Sequence, residues 1–342
     1  MTETTILVDD EETRVPATAR DGALLLAPAD FVAATGWELK PEGLCRGEVC
    51  VPAHSRPDFV VDGAIDLAVA ADLLGRPSVV DAEAGVAALG TPAPERAAAM
   101  RSLDAPDFTL PDTEGNPVSL SDHAGRKRVL VAWASWCGCR WDLPVWQQLH
   151  DELEPDGLTI IAVSLDDSLD AAKPWVDEAE ATYPALVDRD QVVAERYGMV
   201  NVPTTVWIDE HDRIVRPPSI APADDKFRDF TRIDSQVHHD ALRRWVRDDE
   251  PPMAESEVHE RQIVPDTDAQ VARLERRVAA YLGRRGDRDG AERHFARAFE
   301  LAPLDWTIRR GSMPLRGEDP FGPEFFDFYQ EWEAAGRPSY GS

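Results

Sequence analysis

The sequence predicts an α/β protein of three consecutive parts. A central domain carries a partly parallel sheet covered by helices, a small α+β module precedes it, and a helical segment follows. Three observations carry this expectation. Between residues 127 and 215 short apolar runs alternate with amphipathic ones, as strands and helices of a covered sheet do. Two breaks divide the chain: "GTPAPERAAAMRS" (90–102), where Pro, Ala and charge replace any strand pattern, and "RDDEPPMAESE" (247–257), whose Pro-Pro pair stops a helix or central strand. Beyond the second break, two amphipathic runs flank "GRRGDRDG". The parts are thus 1–98, 102–248 and 258–342.

In the first part, "APADFVAATG" and "DLAVAADLLG" each read as a short amphipathic helix closed by glycine. "CRGEVC" places Gly47 in a hairpin turn between two strands. In outline this module is similar to the small N-terminal modules of copper amine oxidases, a likeness that transfers no site. In the second part, "RVLVAWAS" and "LTIIAVSLDDS" are short buried strands, "DLPVWQQLHDELE" and "SLDAAKPWVDEAEAT" are helices, and "TTVWIDEHDRIV" is a hairpin turning at His211-Asp212. In the third, Ala280, Tyr281, Gly290, Ala291, Phe295, Ala298 and Pro303 stand where a tetratricopeptide repeat has its small, aromatic and terminating residues. One such helical pair cannot hide its apolar face alone. It is expected to pack on the middle domain or to pair with another copy as a homo-oligomer. "DWTIRRGSMPLRGEDPFGPEFF" reads as an ordered loop against another surface, with Arg309, Arg310 and Arg316 contacting an anionic substrate or, the favoured reading, the protein's own acidic body.

Charge bounds the partners. The 36 basic and 64 acidic residues of this 342-residue chain give a formal net charge of −28. That repels nucleic acid and anionic membranes. No run of about 18 apolar residues occurs to span a bilayer. The acidic start "MTETTILVDDEETRV" lacks a signal-peptide pattern, so the expected location is cytoplasmic, where thiols stay reduced.

The chemistry concentrates in "WASWCGCRWDLP" (133–144). A strand that delivers Cys137 to the start of a helix favours thiolate over thiol, through unpaired N–H groups and the helix dipole. Arg140 adds positive charge, Trp133 and Trp136 wall the sulfur from water, and Pro144 is expected to kink the helix one turn later. On these residues and on "VNVPTTVWIDEHDRIV" the central part resembles a thioredoxin-like domain of the ResA/TlpA, peroxiredoxin-related type. It is similar, more narrowly, to ResA-like proteins with a Trp-Ala-x-x-Sec-Gly-Cys motif, the selenocysteine falling on Cys137. The resemblance implies a cis peptide before Pro203, with Val202, Pro203 and Thr204, together with Gly138, along the substrate groove. Two departures stand out: the dithiol lacks the usual second intervening residue, and Val131 occupies the place of thioredoxin's buried Asp.

On an ideal helix, residues two apart are rotated by about 200°, so a Cys137–Cys139 bond needs irregular backbone, which Gly138 can supply. The expected function is a thiol-disulfide oxidoreductase involved in redox homeostasis. Cys137 is the nucleophile and Cys139 resolves the product, or Cys45 or Cys50 does so as an auxiliary thiol. It takes electrons from a thioredoxin-like or low-molecular-weight thiol reductant, acts on oxidised protein or peroxide, and uses no bound cofactor or metal. The alternatives are a thiol peroxidase, because "ASWCG" is similar to glutathione peroxidases, and a non-catalytic module that binds a partner or metal. His238-His239 is expected on a solvated helix face.

Overall fold

The computed structural model describes residues 2–9, 11–54, 56–262 and 265–338. Its contacts form two compact units, Met1–Ala97 with Pro265–Ala302, and Ala98–Val264 with Pro303–Ser342. This grouping differs from three consecutive segments.

The first unit holds a seven-stranded sheet, in the order Val60–Val61, Ala64–Asp66, Ala23–Leu26, Glu11–Arg20, Thr2–Val8, Val86–Leu89, Ser78–Asp81. Its core gathers Ile6, Leu24, Leu26, Phe31, Ile65, Leu67 and Ala87. The two short helices lie where the sequence places them. Pro28–Thr35 ends at Gly36, whose φ of 70° lets its N–H reach the Val32 carbonyl, and Leu67–Leu73 starts on the Asp66 carboxylate, which accepts the Ala68 and Val69 N–H groups.

A smaller sheet, Glu38–Lys40, Gly43–Arg46 and Val49–Val51, contains the "CRGEVC" hairpin with Gly47 at φ 60°. Cys45 and Cys50 face each other across its paired strands and are joined in a disulfide. The pair is therefore not two free thiols in this structure.

The helices Thr267–Arg284 and Arg288–Leu301 pack along each other, and the first lies on strands Val86–Leu89 and Ser78–Asp81. The cause is a stripe at helical spacing, with Leu274, Val278 and Leu282 all buried. The sheet supplies the cover that was expected from the middle domain or another copy. Tyr281 adds a hydroxyl contact of 2.6 Å with Thr5.

The second unit is built on a five-stranded sheet, in the order Ala185–Val187, Leu158–Ser164, Lys127–Trp133, Thr204–Ile208, Ile214–Ile220. The first three strands are parallel and the last two antiparallel. The middle strand reads as one apolar run because it is buried from Val129 through Trp133. Helices Leu143–Leu153, Leu169–Glu178 and Ser235–Asp248 accompany the sheet. The last of these corrects the solvated face: His238 and His239 are buried, and His238 meets the rings of Trp207 at 5.2 Å and Trp146 at 6.1 Å. Burial holds His238 well below the usual histidine range, so it packs as a neutral ring. The break at 90–102 contains a helix, Ala93–Ser102.

Candidate thiol site

The central strand ends at Trp133, and the chain turns through Ala134 and Ser135 to reach Cys137. Buried Asp166 holds the turn, accepting the Ser135 N–H at 2.9 Å and its hydroxyl at 2.6 Å. Cys137 is extended (φ −111°, ψ 149°) and caps a 3-10 turn, Gly138–Asp142. The α-helix begins only at Leu143, which corrects the expected kink: Pro144 sits in the first turn, where its missing N–H costs nothing.

Both thiols are free and buried, Cys137 at 6% and Cys139 at 4% exposure. The Cys139 N–H donates to the Cys137 sulfur at 3.3 Å, and the Cys137 thiol faces the Val202 carbonyl at 3.6 Å. The Val202–Pro203 peptide is cis. Asn201 and Thr204 brace it: the Asn201 side chain accepts the Val202 N–H at 2.8 Å, and the Thr204 hydroxyl donates to the Asn201 carbonyl at 2.6 Å. The two sequence landmarks thus meet at one sulfur.

The acidities of the two thiols are split. Burial opposes the Cys137 thiolate, but the hydrogen bond from Cys139, the charge of Arg310, the Cys139 N–H and the charge of Arg140 bring it down to about 7. Burial and the Cys137 sulfur push Cys139 well up. Asp142, 2% exposed in the same turn, is pushed up to about 8 by burial, with smaller contributions from Asp224 and Cys137, against a stabilising hydrogen bond from the Ala223 N–H at 3.1 Å.

The remaining expected residues divide. Trp133 belongs to the fully buried core, whereas Trp136 lies against Gly311, where an added Cβ would stand 3.2 Å from its ring. Gly138 lies under Phe227, and an added Cβ would meet that ring at 2.8 Å. The guanidinium of Arg140 stacks on Trp141 (4.4 Å), Trp175 (4.2 Å) and Phe321 (4.8 Å) and donates to the Ser135 carbonyl at 2.6 Å. Cys45 and Cys50, bonded to each other, offer no free thiol in this state. Sequence reasoning missed Asp142, Asp166 and Phe227, and named Arg310 without linking it to the thiols. Only Asp142 had a local signal, three residues after Cys139 within the motif itself. Arg309 and Arg316 pair with Glu331 and Glu318, as an acidic-body contact requires. Among the described residues no group of three or more His, Cys, Asp or Glu is arranged to hold a metal ion.

A parallel-antiparallel sheet, a cysteine at the turn after its middle strand and a cis-proline beside it define a thioredoxin-like thiol domain. The AhpC/TSA family matches residues 102–216. The thiol-disulfide oxidoreductase ResA of Geobacillus thermodenitrificans is 30% identical over 121 residues, which cover 35% of this chain and 70% of that protein. ResA of Bacillus thuringiensis subsp. konkukian is 28% identical over 114 residues, 33% of this chain, and the match spans 66% of that relative's length. A solved structure, the thioredoxin domain of a thiol-disulfide oxidoreductase from Bacteroides vulgatus, is 24% identical with a TM-score of 0.35, covering 42% of this chain and 95% of that one. The chain belongs to the AhpC/TSA family, among its ResA-like thiol-disulfide oxidoreductases.

Proposed function

We propose that the protein reduces disulfides through Cys137, with Cys139 as the resolving thiol. The observation that carries this reading is the split acidity of two adjacent buried thiols facing the carbonyl before the cis-proline. The Cys137 thiolate attacks one sulfur of a substrate disulfide. A Cys137–substrate bond forms, the substrate S–S bond breaks, and the departing thiolate takes a proton. Cys139 then loses its proton and attacks the Cys137 sulfur. That step forms the Cys137–Cys139 bond, and the second substrate thiolate leaves. Two electrons pass from the dithiol to the substrate, and an external thiol reductant returns them.

We assign the proton of Cys139 to Asp142. Its carboxyl lies in the same turn, its charge acts on Cys139, and its value of about 8 suits exchange near neutrality. It thereby takes the work left open by Val131, which is a buried core residue.

The test uses the full chain with a model disulfide and a dithiol reductant. Cys137→Ser is expected to abolish turnover. Cys139→Ser is expected to accumulate a mixed disulfide at Cys137, read by mass. Full activity in Cys137→Ser rejects the reading, and turnover of hydroperoxide in place of disulfide would move the assignment to a thiol peroxidase.

A further inference from the structure

The thiol site has a side that lies outside the residues matched by the AhpC/TSA family. The segment after Ala302 docks at both landmarks of the second unit. The Trp306 N–H donates to the Val200 carbonyl at 2.9 Å, two residues before Val202, and Gln191 donates through its side-chain amide to the Thr307 carbonyl at 3.3 Å. Gly311 lies against the ring of Trp136, the residue immediately before Cys137. A Cβ at Gly311 would press on that ring at 3.2 Å, so the turn Arg310–Ser312 approaches as closely as a side chain allows.

Arg310 is carried by this turn and is only 8% exposed. Its guanidinium lies 5.0 Å from the Phe321 ring and 4.1 Å from the Phe325 ring, and its Nε donates to the Pro320 carbonyl at 3.1 Å. Arg140, next to Cys139 in sequence, stacks on the same Phe321 ring at 4.8 Å. Two guanidinium groups, one from the motif and one from some 170 residues later, are therefore gathered around a single aromatic ring at the thiol site.

We propose that the segment 303–325 completes the thiol site and that its Arg310 is a positioning residue that holds the Cys137 sulfur in the thiolate form. The proposal rests on the reading of Cys137 as the nucleophile. The charged and titratable groups acting on that sulfur are Cys139, Arg310, Arg140 and Asp142. Cys139 keeps its proton and Asp142, at about 8, is mostly protonated at pH 7, so positive charge comes from the two arginines. Of these Arg310 acts more strongly on Cys137 than Arg140 does. The geometry is consistent with that order: Arg140 stacks on Trp141 and Trp175, while Arg310 is buried in the turn whose Gly311 lies against Trp136. Nucleophile reactivity is thus set from outside the family domain.

The experiment is the pH profile of Cys137 alkylation, read by peptide mass in the reduced full-length protein. The midpoint for the wild type is expected near 7. Arg310→Met and Arg310→Gln are expected to raise it by about one unit, the size an opposite charge commonly contributes. Arg310→Lys keeps the charge and should keep the midpoint. Arg309→Met removes the neighbouring cation that pairs with Glu331 and should leave the profile unchanged. Two neutral replacements of different shape guard against one failing to fold. If the neutral variants keep the wild-type midpoint, or if Arg310→Lys raises it as much as they do, Arg310 acts by packing or not at all and the proposal falls. A wild-type midpoint at the ordinary cysteine value would instead sink the nucleophile assignment itself.

Discussion

Replacing Asp142 with Asn is expected to make the protein more stable and less active. The carboxyl is buried, and although it accepts the Ala223 N–H, burial pushes it from the ordinary 3.8 to about 8. The unfolded chain releases this proton near pH 4, whereas the folded chain keeps it until about pH 8. Between those values the native state binds more protons than the unfolded one, so stability falls as pH rises and levels off above pH 8. At pH 7 the span is about three units. At about 1.36 kcal/mol per unit, the native state loses on the order of 4 kcal/mol relative to its value near pH 4. That is a large share of the roughly 5–15 kcal/mol that holds a domain folded. Asn keeps an oxygen for the Ala223 N–H and cannot ionise. Urea denaturation between pH 4.5 and 8.5 should therefore find Asp142→Asn close to the wild type in acid and a few kcal/mol more stable at pH 8. The same variant should resolve its mixed disulfide slowly, because Cys139 has lost its proton acceptor. Equal stabilities at every pH, or a difference that does not grow with pH, would refute the burial argument and with it the proton assignment.

Two further outcomes follow from the geometry. Gly138→Ala places a methyl group 2.8 Å from the Phe227 ring, which is 37% exposed, so outward displacement of the ring is the expected relief. The expected cost in stability is under about 1 kcal/mol, and alkylation of Cys137 at a fixed pH above its midpoint should accelerate, as it should in Phe227→Ala. An unchanged rate would mean that the ring does not shield the thiols. In the first unit His294 bridges Glu275 at 2.5 Å and Asp81 at 3.1 Å. Burial disfavours its charged form, but these two carboxylates together raise it above the usual histidine value. The imidazolium's contribution is therefore complete below the unfolded value and lost as pH rises through the higher folded one. His294→Gln should cost roughly 2 kcal/mol at pH 6, the scale of charge-assisted hydrogen bonds, and progressively less as the pH rises; a pH-independent cost would count against the bridge.

What the sequence made legible was local. The strand that delivers Cys137, the glycine-closed helices, the Gly47 hairpin and the Val202–Pro203 landmark each depend on a few adjacent residues, and each lies where those residues place it. Long-range contacts were not legible. His238 lies on one stripe with Leu242 and Trp245, at helical spacing, so the pattern was present. The polarity of the paired histidines concealed it, because burial was settled by Trp146 and Trp207 from elsewhere in the chain. The helical pair carried an apolar face but no mark of the strands that cover it. The role of Arg310 had no signal: nothing in "TIRRGSMP" distinguishes the arginine next to Gly311, which lies against Trp136, from the one that pairs with Glu331.

The shortened cysteine spacing owes its consequences to where regular structure begins. Had Cys137 and Cys139 both stood in an α-helix, their side chains would diverge by about 200°. Cys137 instead stays extended outside the turn, and the 3-10 geometry that follows points the Cys139 N–H at its sulfur. With one intervening residue, the backbone of Cys139 thus donates directly to the sulfur of the proposed nucleophile. The two buried sulfurs cannot both carry charge at neutral pH, so one is pushed down in acidity range and the other up. At pH 7 a thiol with a value of about 7 is half ionised, which lowers the reduced form by only RT ln 2, about 0.4 kcal/mol, or under 10 mV for a two-electron couple. Thiolate stabilisation on that scale is enough to speed attack on a disulfide. It opposes electron flow from the dithiol to the substrate by only those few millivolts, far too little to turn the dithiol into a strong oxidant, so the proposed direction stands.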